Sequence, residues 1–468
     1  MKRIAFFCIP AHGHTNPMLP VAAELVKKGN LVRFYSFNEF EEKIIPTGAE
    51  FISCSVFLPE ITEEEMKKLK NISTTEMTIQ DIRITVKMND FIEKEFESFR
   101  PDIIYSDSAC FWGKLSAWKY DIPLVVSTST FAFNQMSSQY MKMSAGEICD
   151  MIFGLPKISK ELKTLEPYGY KVKSALALVT SDNDTDSIVY TTESFQPCSE
   201  SFTDHYAFVG PSVFSKVMPD KKKEHPLVYI SMGTIINERP DFYQKCIEAL
   251  KDMNVDIIIS CGKSMDIAKL GELPDNVSAY PYVNQLDVLS KTDVFITHCG
   301  MNSVSESLYM AAPMVLYPQT SEQHAVAKRT AEINAGVMLR DDSTEGIRNA
   351  VKEVLGNKKY TEAAMKCCDD FRSAPGTAGA AEFILNAPHK EGGMDILKEL
   401  NKTNVVFQLV YWIIIVGIIC LFGFHIGWSF VWIIGIAAGI LSSPVGKCVQ
   451  KIRYKKLAEI KRSQRKNK

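Results

Sequence analysis

A chain of 468 residues, 46% hydrophobic and 23% charged, is long enough for two or three packed domains and too apolar to be disordered. Its net charge of −2 hides an asymmetry. Residues 447–468 hold ten Lys or Arg against one acid, Glu459, which leaves 43 basic and 54 acidic residues elsewhere. An acidic body with a basic tail argues against nucleic acid as the main partner. The twelve cysteines are scattered without a CxxC pair, and no secretory signal opens the chain. Both points favour a reducing compartment and argue against a zinc site.

In chain order, residues 2–9 (KRIAFFCI) predict a first strand, followed by the loop PAHGHT. Asn16 is expected to cap the first helix, with Pro17 at its first position. LVRFYSF at 31–37 makes the second strand. This is a Rossmann-like opening without the GxGxxG fingerprint, which weakens a dehydrogenase reading. Residues 60–99 are polar and helix-prone, and the strands DIIYSD and LVVSTS follow. Residues 134–175 hold Met136, Met141, Met143 and Met151 among aromatics. Such a surface suits an irregular apolar ligand, and ordinary core packing explains it equally well.

The charged stretch PDKKKEHP at 219–226 reads as an interdomain linker. LVYIS opens a second domain with the turn Met232, Gly233, Thr234, and VDIIIS and VSAYPYVNQLDVL follow. Residues 293–323, DVFITHCGMNSVSESLYMAAPMVLYPQTSEQ, read as strand, turn, helix, strand and a second helix start. Gly300 is expected to supply a backbone angle closed to other residues, and Ser303 with Glu306 has capping-box spacing. A helix N-terminus after a strand leaves N–H groups and a positive dipole end in one crevice, a setting that favours phosphate. Asp182, Asp184, Asp186 and Glu193 imitate a calcium loop, but Ser187 stands where that loop needs glycine, so an acidic turn is expected instead.

Residues 405–446 contain no Asp, Glu, Lys or Arg. That length suffices for two spans of about 20 residues each. A transmembrane hairpin over 404–446 is expected, turning at residues 423–428, with Trp412, Trp428 and Trp432 at the interfaces. The basic tail would then lie on the cytoplasmic side. One long tilted helix is the alternative.

The 293–323 segment, the AHGHTNP loop, YSDS at 105–108 and PGTAGAAEFIL at 375–385 together resemble the UDP-glycosyltransferases, in particular their bacterial macrolide-glycosyltransferase branch. The resemblance covers about residues 1–390. It implies the GT-B fold, in which two Rossmann-like α/β domains face each other across a cleft. The expected division is 1–215 for the acceptor domain, 216–226 for the linker and 227–390 for the nucleotide-sugar domain, whose last helix crosses back. Beyond these lie the hairpin and a cytoplasmic tail at 447–468.

By the same resemblance His14 is the base that takes the acceptor proton, and Asp107 is its carboxylate partner. His298, Gly300, Asn302 and Ser303 match diphosphate-binding positions, and Glu306 matches the ribose-binding carboxylate. Glu322 and Gln323 match an Asp-Gln pair on the sugar hydroxyls, here with Glu for Asp. Tyr282 and Gln285 stand where the plant-type signature has Trp and Gln, and Thr234 is expected to face the same cleft. The implied chemistry is metal-independent, inverting transfer of a hexose, first glucose, from a UDP-sugar that serves as co-substrate, with no cofactor. With a hairpin in place, the expected acceptor is a hydrophobic or lipid-like alcohol at the cytoplasmic membrane face, with the bilayer as partner. The alternatives are a transferase for soluble natural products or drugs, and a sugar-nucleotide-binding scaffold without turnover.

Overall fold

The computed structural model describes residues 1–58, 73–170, 172, 184–213, 217–220, 224–233, 239–262, 265–389, 395–426 and 446–463. These form two compact units: Met1–Pro197 with Tyr206–His389, and Cys198–His205 with Lys390–Lys468.

The larger unit holds two parallel sheets. The first contains β1 (Arg3–Phe7), β2 (Leu31–Ser36), β3 (Glu50–Ser53), β4 (Ile103–Asp107), β5 (Leu124–Thr128), β6 (Asp186–Val189) and β7 (Tyr206–Phe208). Its strand order is β3-β2-β1-β4-β5-β6-β7. The second contains β8 (Leu227–Ser231), β9 (Asp256–Ser260), β10 (Val277–Tyr280), β11 (Val294–Thr297), β12 (Met314–Leu316) and β13 (Gly336–Met338), in the order β10-β9-β8-β11-β12-β13. In both sheets the order reverses beside the first strand, at β1/β4 and β8/β11. The loops at the carboxyl ends of those strands are where such folds place ligands. The strands are short apolar runs because helices cover both faces; β4, β8 and β11 are buried at every residue.

Helix α1 (His12–Lys27) has Ala11 as its N-cap, five residues before the expected Asn16. Pro17 and Pro20 therefore lie inside the helix. Their fixed φ suits it, at the loss of the N–H that would bond the carbonyl four residues back. For Pro17 that carbonyl belongs to Gly13, and it lies 3.5 Å from the Asn302 amide nitrogen instead. Helix α2 (Thr74–Phe99) is capped by Ser73, whose hydroxyl accepts from the Glu76 N–H, and it buries Ile79, Ile82, Met88, Ile92 and Phe96. Residues 59–72 lie outside the described residues. Helix α3 (Gly376–Leu385) follows the second sheet in sequence, yet Ala380, Ala381 and Ile384 join the core of the first.

The calcium-loop imitation resolves differently. Asp186 belongs to β6, and its carboxylate accepts from the His389 backbone N–H at 2.9 Å. Asp182 lies outside the described residues.

In the smaller unit, helix α4 (Ile396–Ile426) runs on through residues 423–426, where the hairpin turn was expected. Its first turns are polar, with Lys402 paired to Glu399 at 2.9 Å. Among the described residues, no helix is long and apolar enough to cross a membrane. The transmembrane hairpin and the multi-pass membrane localisation are therefore withdrawn, and the bilayer loses its support as a partner. Absence of charge marks a stretch by composition alone and does not place a turn in it; the second arm, with Trp428 and Trp432, lies outside the described residues. The basic segment has a different use. Residues 446–463 are helical, and the buried Lys461 donates to the carbonyls of Glu200 and Phe202 at 3.1 and 2.7 Å. Arg462 pairs with the Glu200 carboxylate, and the Tyr454 hydroxyl donates to it at 3.2 Å.

Candidate active site

His14 stands in the first turn of α1, the helix that follows β1, and Asp107 is the last residue of β4, the strand that pairs with β1. This brings His14 Nδ1 to 2.8 Å from Asp107 Oδ2. The carboxylate is fully buried, whereas the imidazole keeps 31% of its surface. Asp107 is itself fixed by the Ala109 N–H, which donates to Oδ1 at 2.9 Å. The contact sets the tautomer: Nδ1–H donates to the carboxylate, and Nε2 is left with a free lone pair. Burial of the ring works to lower its pKa. The Asp107 charge and hydrogen bond, with a smaller push from Glu322, carry it above the ordinary imidazole value of 6.5. Ser129, beyond the end of β5, places its hydroxyl 3.3 Å from the same Nδ1; nothing in the sequence marked it.

The second half of the site surrounds the turn after β11. Cys299, not Gly300, takes the left-handed conformation, with φ 68°. Gly300 is the N-cap of helix α5 (Met301–Tyr309), at φ −61°. It must be glycine for another reason: a Cβ there would lie 2.6 Å from His298 Nε2, and one on Gly233 would lie 2.5 Å away. The imidazole thus lies against two bare backbone positions. Its Nδ1 is buried without a well-formed hydrogen bond. Burial pushes the His298 pKa down to about 4, opposed only by the Ser231 backbone, so the ring is neutral near pH 7.

Because Gly300 has no side chain, α5 begins without a side-chain cap. Its first-turn N–H groups are left for water or an anion. Ser303 and Glu306, expected to form a capping box, lie within the helix instead. Glu306 Oε2 accepts from Gln285 Nε2 at 2.6 Å, Ser303 lies 3.5 Å from the same nitrogen, and the Tyr229 hydroxyl donates to Gln285 Oε1 at 3.1 Å. Burial raises the Glu306 carboxyl above the usual range, with the Gln285 bond working against it. Tyr229 adds a member to this network that sequence reasoning missed, since a tyrosine inside a buried strand reads as core.

Gln323 has a structural contact besides its expected role. In helix α6 (Ser321–Glu332) its side-chain oxygen accepts from the Gln319 and Thr320 N–H groups at 2.8 and 3.2 Å, as the far half of a capping box with Thr320. Glu322 stays exposed, close enough for its charge to act on His14. Tyr282 is 72% exposed. Thr234 lies outside the described residues.

Comparisons with known proteins supply the family and the fold. Residues 216–375 match the family "UDP-glucoronosyl and UDP-glucosyl transferase". The NDP-glycosyltransferase YjiC of Bacillus licheniformis is 32% identical over 402 residues, which cover 82% of this chain and 97% of that protein. The chain belongs to the UDP-glycosyltransferase family. Within it, the demethyllactenocin mycarosyltransferase of Streptomyces fradiae is 28% identical, over 82% of this chain and 86% of the relative. The calicheamicin glycosyltransferase CalG4 superimposes with a TM-score of 0.68 at 25% identity, over 83% of this chain and all of that one. This UDP-glycosyltransferase is thus an enzyme of the bacterial macrolide-glycosyltransferase type, built on two parallel-sheet domains of the GT-B kind, and it takes a nucleotide sugar as donor.

Proposed function

We propose that the enzyme transfers a hexose, with inversion, from a UDP-sugar to a hydroxyl of a hydrophobic natural-product-like acceptor. The observation that carries this reading is the His14–Asp107 contact at 2.8 Å, with Nε2 free. In the proposed step Nε2 takes the acceptor hydroxyl proton while the acceptor oxygen attacks the anomeric carbon. The bond from that carbon to the diphosphate breaks on the opposite face, and UDP leaves with the electron pair. Asp107 stabilises the imidazolium formed and does not itself take the proton.

The leaving diphosphate gains negative charge as the bond breaks. The uncapped N-terminus of α5, with Ser303 and Asn302 on its first turn and the neutral His298 beside it, offers donors fixed in place beforehand. No metal is needed in this reading. Glu306 takes the ribose hydroxyls, Tyr282 stacks the base, and Glu322 reaches the sugar. Each role is supported by the family match; Glu306 lies in α5 against Gln285, and the Glu322 charge reaches His14.

The acceptor reading shifts with the loss of the hairpin. Relatives named for demethyllactenocin and oleandomycin support a small natural product over a membrane lipid. The test is turnover of UDP-glucose with a panel of macrolide, phenolic and sterol acceptors, with and without excess EDTA. Transfer to at least one member, unaffected by EDTA, is expected. Strict dependence on added magnesium or manganese would overturn the metal-independent step.

A further inference from the structure

Helix α6, which carries Glu322, is fastened at both ends to one segment of the first domain. At its C-terminal end the Tyr140 hydroxyl donates to Glu332 at 2.8 Å, and the Lys328 ammonium lies 4.4 Å from the centre of the Tyr140 ring. At its N-terminal end the Ser321 hydroxyl donates to Glu147 Oε1 at 2.5 Å. Glu147 belongs to the first turn of helix α7 (Ala145–Leu162, out of chain order), where its other oxygen accepts from the Ser144 N–H at 2.6 Å in a capping box. One carboxylate is thus shared by the N-termini of two helices, one from each domain. Both dipoles present their positive ends to it. The Ser321 hydroxyl first, then the Ser144 backbone and side chain, hold the Glu147 carboxyl below its usual range.

We propose that Glu147 is a positioning residue that latches the two domains together and holds the neighbouring Glu322 at the sugar end of the donor site. Ser321 directly precedes Glu322, so the latch fixes the backbone from which the sugar-facing carboxylate projects. The nucleotide end, built on α5, has no part in the contact. The latch should therefore act on the sugar and on closure against water, and leave UDP recognition alone. The inference rests on the transfer reading for the identity of the donor and for the place of Glu322 at its sugar.

The experiment compares Glu147→Gln, Ser321→Ala and the double variant with the wild type. Calorimetry measures the affinities for UDP-glucose and for UDP, a ratio that needs no turnover. Loss of one charge-assisted hydrogen bond at an exposed site should weaken UDP-glucose binding about three- to fivefold in either single variant. The double variant should be no worse than the singles, since both changes break the same contact. UDP affinity should hold, Ser321→Thr should restore the wild-type ratio, and release of glucose without acceptor should rise relative to transfer. Multiplicative losses in the double variant, an unchanged ratio, or equal losses for UDP and UDP-glucose would overturn the latch. A wild type that binds UDP-glucose but glycosylates nothing would count against the transfer reading instead, and the binding ratio would still decide the latch.

Discussion

Asp107→Asn keeps the size and the buried position of the side chain but removes the charge that faces His14. Two effects follow. The amide can present its NH2 to Nδ1, which selects the wrong tautomer and puts the proton on Nε2, where the acceptor must deliver its own. The imidazolium also loses its counter-charge. Opposite charges about 4 Å apart at an effective dielectric near 20 interact by about 4 kcal/mol, or about three decades in rate at 1.36 kcal/mol each. Only part of the charge develops in the transition state, so a loss of about 10²- to 10³-fold in kcat is expected, with the KM for UDP-glucose little changed. The pH profile supplies an independent reading. The base must be neutral, so activity rises with pH through the His14 pKa, which Asp107 holds above 6.5. In Asp107→Asn only burial remains as the main influence, and burial lowers that pKa, so the acid limb should move to lower pH. Stability runs the other way: a raised imidazole pKa contributes below about 6.5 and is lost as pH climbs through the folded value. Initial rates from pH 5 to 9 for both proteins test this. An unmoved acid limb, or a kcat within threefold of wild type, would refute the assignment.

Three further outcomes are expected. Gly300→Ala would place a Cβ 2.6 Å from His298 Nε2; displacement of the ring should weaken UDP binding at least tenfold by calorimetry, with little change in far-UV circular dichroism. His298 is held neutral to about pH 4, so between about 6.5 and 4 the unfolded chain binds the extra proton and stability is lost as the pH is lowered; His298→Asn should flatten that part of a denaturant-midpoint series. Lys461→Met leaves the Glu200 and Phe202 carbonyls without their buried donor, and a loss of about 1–3 kcal/mol of local stability should appear as faster amide exchange over residues 446–463.

Much of the architecture was legible because short apolar runs between turn residues have few other uses. The pairing of His14 with Asp107 was legible only through the family motif, since 93 residues separate them and no local pattern links them. Finer points depended on geometry that no periodicity encodes. Pro17 reads as a helix start, yet its φ also fits the helix interior once the Gly13 carbonyl can be met from elsewhere. Gly300 reads as a left-handed turn residue, whereas it is small because His298 lies against it. Gln323 matches a sugar-binding position by family resemblance, and its side-chain oxygen also completes the Thr320 cap. The hairpin failed for a plainer reason: absence of charge is a property of composition, whereas α4 runs on through the expected turn and no described helix is both long and apolar enough to cross a membrane.

The most direct test of the central claim is the anomeric configuration of the product made from UDP-glucose, read by the proton coupling constant at the anomeric carbon, for wild type and for His14→Ala. One displacement by an acceptor oxygen activated at His14 turns the α-linked donor into a β-glucoside, and His14→Ala should lose about 10²- to 10⁴-fold in rate while still binding UDP. An α-linked product, or a His14→Ala enzyme that turns over near the wild-type rate, would contradict it.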